Sequence, residues 1–146
     1  MALVTPTDWP EVRALLDVQL TPNDLRDAII AADPYAGKAQ REVLRRIPNA
    51  QALVDANGED GQRIKLAVKC LIAASLAPAI VRLTSVTAQG RDGAYSRQTF
   101  DPTKRAAELR AQAEEQIAEV LKPSEVAENT YALPITFRAA RGTRGL

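Results

Sequence analysis

The sequence predicts a mainly α protein: a small helical bundle around one central buried helix, with a short β-hairpin or loop insertion and an extended C-terminal arm. Of its 146 residues 46% are hydrophobic but only 4% are aromatic, and alanine supplies much of the apolar content. Such a composition favours close-packed helices over β-sandwiches. Several stretches repeat apolar residues at helical spacing, and prolines with short polar residues stand where helices begin and end.

Two short amphipathic helices are predicted near the N-terminus. Thr7-Asp8-Trp9-Pro10 has the form of a helix start, with a capping side chain just before an early proline. Thr21-Pro22 repeats that signal. Each start is followed by an apolar stripe, the first made by Val12, Leu15 and Leu16 and the second by Leu25, Ala28, Ile29 and Ala32.

A third helix is predicted after Asp33-Pro34, which marks a break and a restart of the helical pattern. Pro48 ends it. Its apolar stripe consists of Ala36, Ala39, Val43 and Ile47, and its outward charges are Lys38, Arg41, Glu42, Arg45 and Arg46.

The central helix is predicted over residues 62–83, after a turn at Asn57-Gly58. Residues 55–61 carry several carboxylates, but their order does not fit a calcium-binding loop, so the stretch is interpreted as a turn. Apolar residues occur on every side of the helix, which is typical of a buried position. Pro78 is expected to kink or end it, because proline lacks the backbone donor.

The last helix is predicted from Asp101-Pro102 to the stop at Lys122-Pro123. Its stripe consists of Ala106, Leu109, Ala113, Ile117, Val120 and Leu121. Between the central and last helices, residues 85–100 form two β-prone runs around Gly90-Arg91-Asp92-Gly93, which suggests a projecting hairpin or extended loop.

The chain is therefore divided into a helical domain, residues 1–122, and an arm, residues 123–146. Two interpretations of the arm stay open. A terminal segment is often disordered. Alternating apolar residues also suit strand addition to a partner sheet or docking in a groove, with arginines meeting an acidic rim. The arm residues expected to contact a partner are Tyr131, Leu133, Ile135, Phe137, Arg138, Arg141 and Arg144.

The residue types present argue against catalysis. Histidine is absent and Cys70 is the single cysteine, so the usual general base, a structural zinc site and an internal disulfide are excluded. We expect no enzyme activity, cofactor or metal. Cys70 is interpreted as a buried small hydrophobe rather than a reactive thiol. Carboxylates at Glu108, Glu114, Glu115 and Glu119 could form an acid–base set, but their alternation with arginines favours a solvated helix face.

Charge and hydropathy bear on localisation and on nucleic-acid binding. The net charge is +1, so only local patches could attract a polyanion. Arg41, Arg45, Arg46 and the basic tail could bind phosphates, which gives an alternative function as a small nucleic-acid-associated protein. The same arginines could instead form a solvated face or pair with acids of a neighbouring subunit. No apolar run is long enough to span a membrane and the N-terminus lacks signal-peptide features, so a soluble intracellular or particle-bound protein is expected.

The layout resembles the head-tail adaptor (head-completion or connector) proteins of tailed double-stranded DNA bacteriophages and related gene-transfer particles. The resemblance covers roughly residues 5–122. It consists of short N-terminal helices, a buried central helix, the segment SVTAQGRDGAYSRQT and a last amphipathic helix. Such proteins often carry a Ser-x-x-x-x-Gly-x-Tyr-Ser run before the last helix, and Gly93-Ala94-Tyr95-Ser96 is similar.

The resemblance implies a structural subunit made in the host cytoplasm and placed at the neck of the virion. It implies a homo-oligomeric ring, commonly of twelve subunits, between the portal protein and a stopper or tail-completion protein. Double-stranded DNA would pass through the ring without sequence-specific binding. The arm would reach the portal or a neighbouring subunit. The residues expected to face the channel or a neighbouring ring are Gln89, Arg91, Asp92, Tyr95 and Arg97.

Overall fold

The computed structural model describes residues 2–16, 20–85 and 101–122, and for residues 81–85 it describes the backbone alone. This part of the chain is mainly helical and contains no strand, which confirms the predicted mainly α class. A 3₁₀ turn at Pro6–Asp8 precedes the first helix, and a π-helical turn at Asp33–Gly37 precedes the third. The α-helices are α1 Trp9–Leu15, α2 Asp27–Ile30, α3 Lys38–Arg46, α4 Ala50–Asp55, α5 Glu59–Ser85 and α6 Pro102–Leu121.

Helix α5 is the centre of the fold, as the sequence predicts. It makes its largest contact with α6 and also packs against α1, α3 and α4. Every residue from Ala67 to Ala74 is buried, which accounts for its lack of a polar face. Glu59 and Asp60 lie in its first turn, where their charge complements the helix dipole. Pro78 is exposed inside the helix and does not end it, which leaves the kink as the remaining form of that prediction.

Helix α6 begins and ends where the sequence predicts. The Asp101 side chain accepts hydrogen bonds from the backbone N–H groups of Thr103 and Lys104 at 3.0 and 3.1 Å, which caps the helix. At the other end Lys122 is extended, the conformation favoured before a proline. Its buried stripe consists of Ala106, Leu109, Ala113 and Ile117. Leu121, predicted to belong to the stripe, is 52% exposed because it lies on the final turn.

Helices α5 and α6 run antiparallel. Arg63 at the start of α5 lies 3.7 Å from the Glu119 carboxylate at the end of α6. Further along, Leu71 and Ser75 of α5 line one groove with Arg110 of α6. The pair therefore forms a helical hairpin, and residues 86–100 connect its two helices at one end.

The break at Asp33-Pro34 and the stripe of α3 are both confirmed. Ala32 is extended, after which the chain restarts as the π-helical turn and continues into α3. The four stripe residues Ala36, Ala39, Val43 and Ile47 are buried, at most 3% exposed. Helix α3 ends at Arg46, before Pro48. The short helix α4, which follows it, was not predicted; its buried face consists only of Ala50 and Val54.

The second predicted helix is much shorter in the structure. Residues 21–24 instead form a turn in which the Asp24 carboxylate accepts hydrogen bonds from the Thr21 backbone N–H at 2.9 Å and from its hydroxyl at 2.7 Å. Arg26 is extended, and α2 begins only at Asp27. The buried residues therefore differ from the predicted stripe: Leu25 and Ile30 are buried, whereas Ala28 is exposed.

The hairpin or loop was predicted over residues 85–100, but Ser85 is the last residue of α5. The rest of that segment, residues 86–100, and the predicted arm, residues 123–146, lie outside the described residues. Within the part of the chain that is described, no helix is long and apolar enough to cross a membrane.

The contact between α4 and α5 depends on a glycine. A methyl group added at Gly61 would stand 2.4 Å from the backbone oxygen of Leu53, whereas at Gly58 it would meet nothing within 4 Å. We expect Gly61→Ala to lower the free energy of unfolding by about 1–3 kcal/mol, because the two helix backbones must separate. Gly58→Ala should change it by less than about 0.5 kcal/mol. Urea unfolding followed by circular dichroism measures both, and equal effects would contradict this account of the packing.

Candidate partner-binding surface

The residues predicted to contact partners fall in the two segments outside the described residues, so the structure gives no geometry for any of them. The structure does place the helix ends to which these segments are attached. Residues 86–100 join the end of α5 to the start of α6, and residues 123–146 follow the opposite end of α6. Because α6 has 20 residues, these attachment points lie about 30 Å apart along the hairpin.

A groove lies between α3, α5 and α6 on the described surface. Its volume is about 240 Å³. Ala39 and Leu71 form apolar parts of its wall, and the Ser75 hydroxyl there donates a hydrogen bond to the Leu71 carbonyl at 3.0 Å. The charged residues that line it are Lys38 and Glu42 of α3 and Arg110 and Glu114 of α6.

An ion pair joins α3 to α6 beside this groove. Arg46 donates to the Glu114 carboxylate at 2.6 Å, and this hydrogen bond holds the pKa of Glu114 below its ordinary value. Lys38 and Arg110 are exposed and form no hydrogen bond or ion pair with other described residues. Lys38 lies two turns before Arg46 on α3, and Arg110 lies one turn before Glu114 on α6. Both cations line the groove together with Glu42, which lies one turn after Lys38 on α3.

Two of the three arginines of α3 form ion pairs within the chain. Arg41 pairs with Asp33 at 2.6 Å, and Arg46 pairs with Glu114. Arg45 is exposed and has no ion pair among the described residues. The sequence left acids of a neighbouring subunit open as partners for these arginines; for Arg41 and Arg46 the structure supplies acids of the same chain.

Three of the four carboxylates of α6, all except Glu115, lie in ion pairs on its polar side. Glu108 contacts Arg105 at 3.2 Å, Glu114 contacts Arg46, and Glu119 contacts both Arg63 and Lys122. The hydrogen bond from Lys122 lowers the pKa of Glu119. A general acid at neutral pH needs a raised carboxyl pKa instead. The paired arrangement therefore fits the charged helix face that the sequence favours. No group of three metal-ligating side chains occurs among the described residues.

The Cys70 thiol is fully buried in α5. Burial raises its pKa to about 11, which keeps the thiol protonated at neutral pH. The structure thus agrees with the interpretation of Cys70 as a buried apolar residue.

Two buried cations that were not predicted from the sequence hold the N-terminal segment in place: Lys69 attaches it to α5, and Arg13 attaches α1 to residues 25–27. The Lys69 ammonium lies 3.2 Å from the Asp8 carboxylate and donates to Glu11 at 2.5 Å. Arg13 is buried and donates twice to the Leu25 carbonyl, at 2.9 and 2.8 Å, and also pairs with Asp27. The sequence does contain a signal for these contacts: Lys69 and Arg13 lie inside otherwise apolar stretches, and a buried charge requires a partner.

A second arginine contact fixes the end of α1. Arg105 of α6 donates two hydrogen bonds to the Leu15 carbonyl, at 2.8 and 2.6 Å. Leu15 ends α1, so this contact occupies a carbonyl that has no partner within the helix. The N-terminal segment is thereby held against both helices of the hairpin.

Comparison with known proteins identifies no relative of this chain. No protein-family model matches it, and neither a curated protein nor a solved structure gives a significant match.

The Asp8–Lys69 contact predicts an acid-sensitive contribution to stability. Burial by itself would raise the pKa of Asp8, but hydrogen bonds from the Thr5 backbone and Lys69 outweigh it and lower the pKa below 3.8. The stabilisation is therefore present above the unfolded pKa and is lost as the pH falls through the lower folded pKa. We expect Asp8→Asn to cost about 1–3 kcal/mol at pH 7, because it removes one partner of a buried lysine. Urea unfolding should show this difference shrinking between about pH 4 and pH 2.

Asp33→Asn is the matched control. It also removes a carboxylate from an ion pair, but Asp33 and Arg41 are both exposed, so its loss should be clearly smaller. A difference between wild type and Asp8→Asn that stays constant down to pH 2 would contradict the role given to the Asp8 charge.

Proposed function

We propose that this chain is a structural subunit of a phage-like particle, which forms a ring between the portal and the tail or stopper and extends the DNA channel. The observation that best supports the proposal is the geometry of the α5–α6 hairpin. Two segments with predicted binding residues are attached to its opposite ends, about 30 Å apart. One rigid hairpin could therefore contact a different partner at each end.

The proposal assigns one end to each partner. The segment 86–100 would face the channel or an adjacent ring, through Gln89, Arg91, Asp92, Tyr95 and Arg97. The arm would reach the portal or a neighbouring subunit, with Tyr131, Leu133, Ile135 and Phe137 as the apolar contacts. Arg138, Arg141 and Arg144 would meet an acidic rim.

The charge distribution is compatible with a channel that releases DNA easily. Cations that could bind a polyanion strongly are partly neutralised within the chain, as Arg41 and Arg46 are by Asp33 and Glu114. Each phosphate contact removed in this way lowers affinity for DNA. The same observation disfavours the nucleic-acid-associated alternative, which depends on these arginines.

Location tests the proposal most directly. The chain should be found at the neck of particles by electron microscopy with a label on the chain, and its gene should lie beside portal, capsid and tail genes. Particles whose neck lacks the chain would overturn the proposal.

The arm gives a sharper test. In the full-length chain, replacement of Tyr131, Leu133, Ile135 and Phe137 by serine should weaken binding to the portal ring by at least about tenfold, because the apolar contacts are lost. Replacement of Arg138, Arg141 and Arg144 by serine should have a smaller effect. Binding to the immobilised portal ring measures both, and circular dichroism checks that both variants fold. Equal losses, or a greater loss for the arginine variant, would indicate an electrostatic arm instead.

A further inference from the structure

Asn57 and Gly58 lie on an exposed turn between α4 and α5. All residues from Asp55 to Asp60 are exposed, and a methyl group added at Gly58 would meet nothing within 4 Å. The Gly58 backbone N–H donates no hydrogen bond to any of the described residues. The backbone nitrogen that follows Asn57 is therefore both accessible and free of a hydrogen bond.

The other asparagines in the described part of the chain differ in this respect. The backbone nitrogen after Asn23 donates to the Thr21 carbonyl at 3.0 Å. The nitrogen after Asn49 donates to the Ile47 carbonyl, also at 3.0 Å. The residues after these two asparagines also carry side chains, which crowd the nitrogen, whereas glycine does not. Among the described asparagines, Asn57 alone precedes an unhindered and unbonded nitrogen.

We infer that Asn57 is a site of spontaneous deamidation. The Gly58 nitrogen gives up its proton and attacks Cγ of Asn57. The N–Cγ bond forms, the Cγ–Nδ2 bond breaks, and the amide nitrogen takes up the proton and leaves as ammonia. Negative charge develops on Oδ1 during the attack, and the Gln62 side chain donates a hydrogen bond to this oxygen at 2.7 Å.

Water then opens the succinimide ring that this attack creates. Hydrolysis of the bond between the ring nitrogen and Cγ gives aspartate and leaves the backbone as it was. Hydrolysis of the bond between the nitrogen and the backbone carbonyl carbon gives isoaspartate instead. In isoaspartate the chain runs through the former side chain, so the backbone gains a methylene group.

Isoaspartate at position 57 loosens the contact between α4 and α5. Residues 56–58 alone join these helices. Asn57 closes α4 with a left-handed φ of 53°, and its N–H donates to the Val54 carbonyl at 3.0 Å. The Gly61 backbone lies so close to α4 that an added methyl group would stand 2.4 Å from the Leu53 oxygen. A longer link disturbs this close approach, whereas aspartate keeps the link unchanged.

Peptide mapping tests the site in the full-length chain, incubated in mildly alkaline buffer at physiological temperature. The tryptic peptide of residues 47–63 contains both Asn49 and Asn57, so the first is an internal control for the second. Mass spectrometry should show Asn57 converting at least about tenfold faster than Asn49, because only Asn57 precedes a glycine. Enzymatic methylation of the isoaspartyl carboxylate should label the same peptide.

Gly58→Ala is the matched variant, because its methyl group meets no other atom and adds no charge. It should lower the rate of conversion at Asn57 by at least about tenfold, since the side chain hinders attack by the nitrogen. Circular dichroism should show that the variant folds like wild type. Equal rates at Asn57 and Asn49, or a rate at Asn57 that Gly58→Ala leaves unchanged, would overturn the site.

Hydrogen exchange tests the effect on α4. In the isoaspartate form, separated by chromatography, the amides of α4 should exchange at least about tenfold faster than in fresh protein. Asn57→Asp adds the same charge without lengthening the backbone, so its α4 should exchange like that of fresh wild type. The loosening is refuted if the isoaspartate form exchanges like fresh protein, or if Asn57→Asp exchanges as fast as the isoaspartate form.

Discussion

The packing of α5 against α6 is the constraint on which the rest of the described structure depends. The buried residues of the pair include several alanines, Ala67, Ala73, Ala74 and Ala77 on α5 and Ala106 and Ala113 on α6. Small side chains allow helix backbones to approach closely, and close packing supplies dispersion contacts along the whole length of the pair. The shorter helices are too short to be stable alone, so they depend on this hairpin for a surface against which to bury their apolar side chains.

Buried charge determines where the N-terminal segment lies on that hairpin. Hydrophobic contact is not directional, whereas a guanidinium bound to one carbonyl fixes both partners. Arg105 fixes the end of α1 in this way, Arg13 fixes the turn before α2, and Lys69 holds the carboxylates beside the start of α1. Each cation has partners that compensate for its removal from water, which is why three charged side chains are tolerated next to an apolar core.

The long or strongly periodic helices were predictable from sequence, and the short ones were not. The stripes of α3 and α6 and the apolar character of α5 are local patterns of three or more turns, which hydrophobic periodicity detects. Helix α2 was overestimated because Asp24 closes a turn on Thr21 and Arg13 binds the Leu25 carbonyl. The Asp24–Thr21 hydrogen bond is local and competes with helix formation. The Arg13–Leu25 hydrogen bond depends on a residue twelve positions away. Helix α4 buries only two side chains and leaves no periodic signal.

The candidate surface was predictable only in part, for a related reason. The positions of the arginines are visible in the sequence. Which of them form ion pairs within the chain depends on contacts across the fold. Arg46 reaches Glu114 over 68 residues, while Lys38 and Arg110, unremarkable in sequence, become the unpaired cations of one groove. Charges that form internal ion pairs are less available to other molecules, so the sequence alone overstates how many of them a partner could contact.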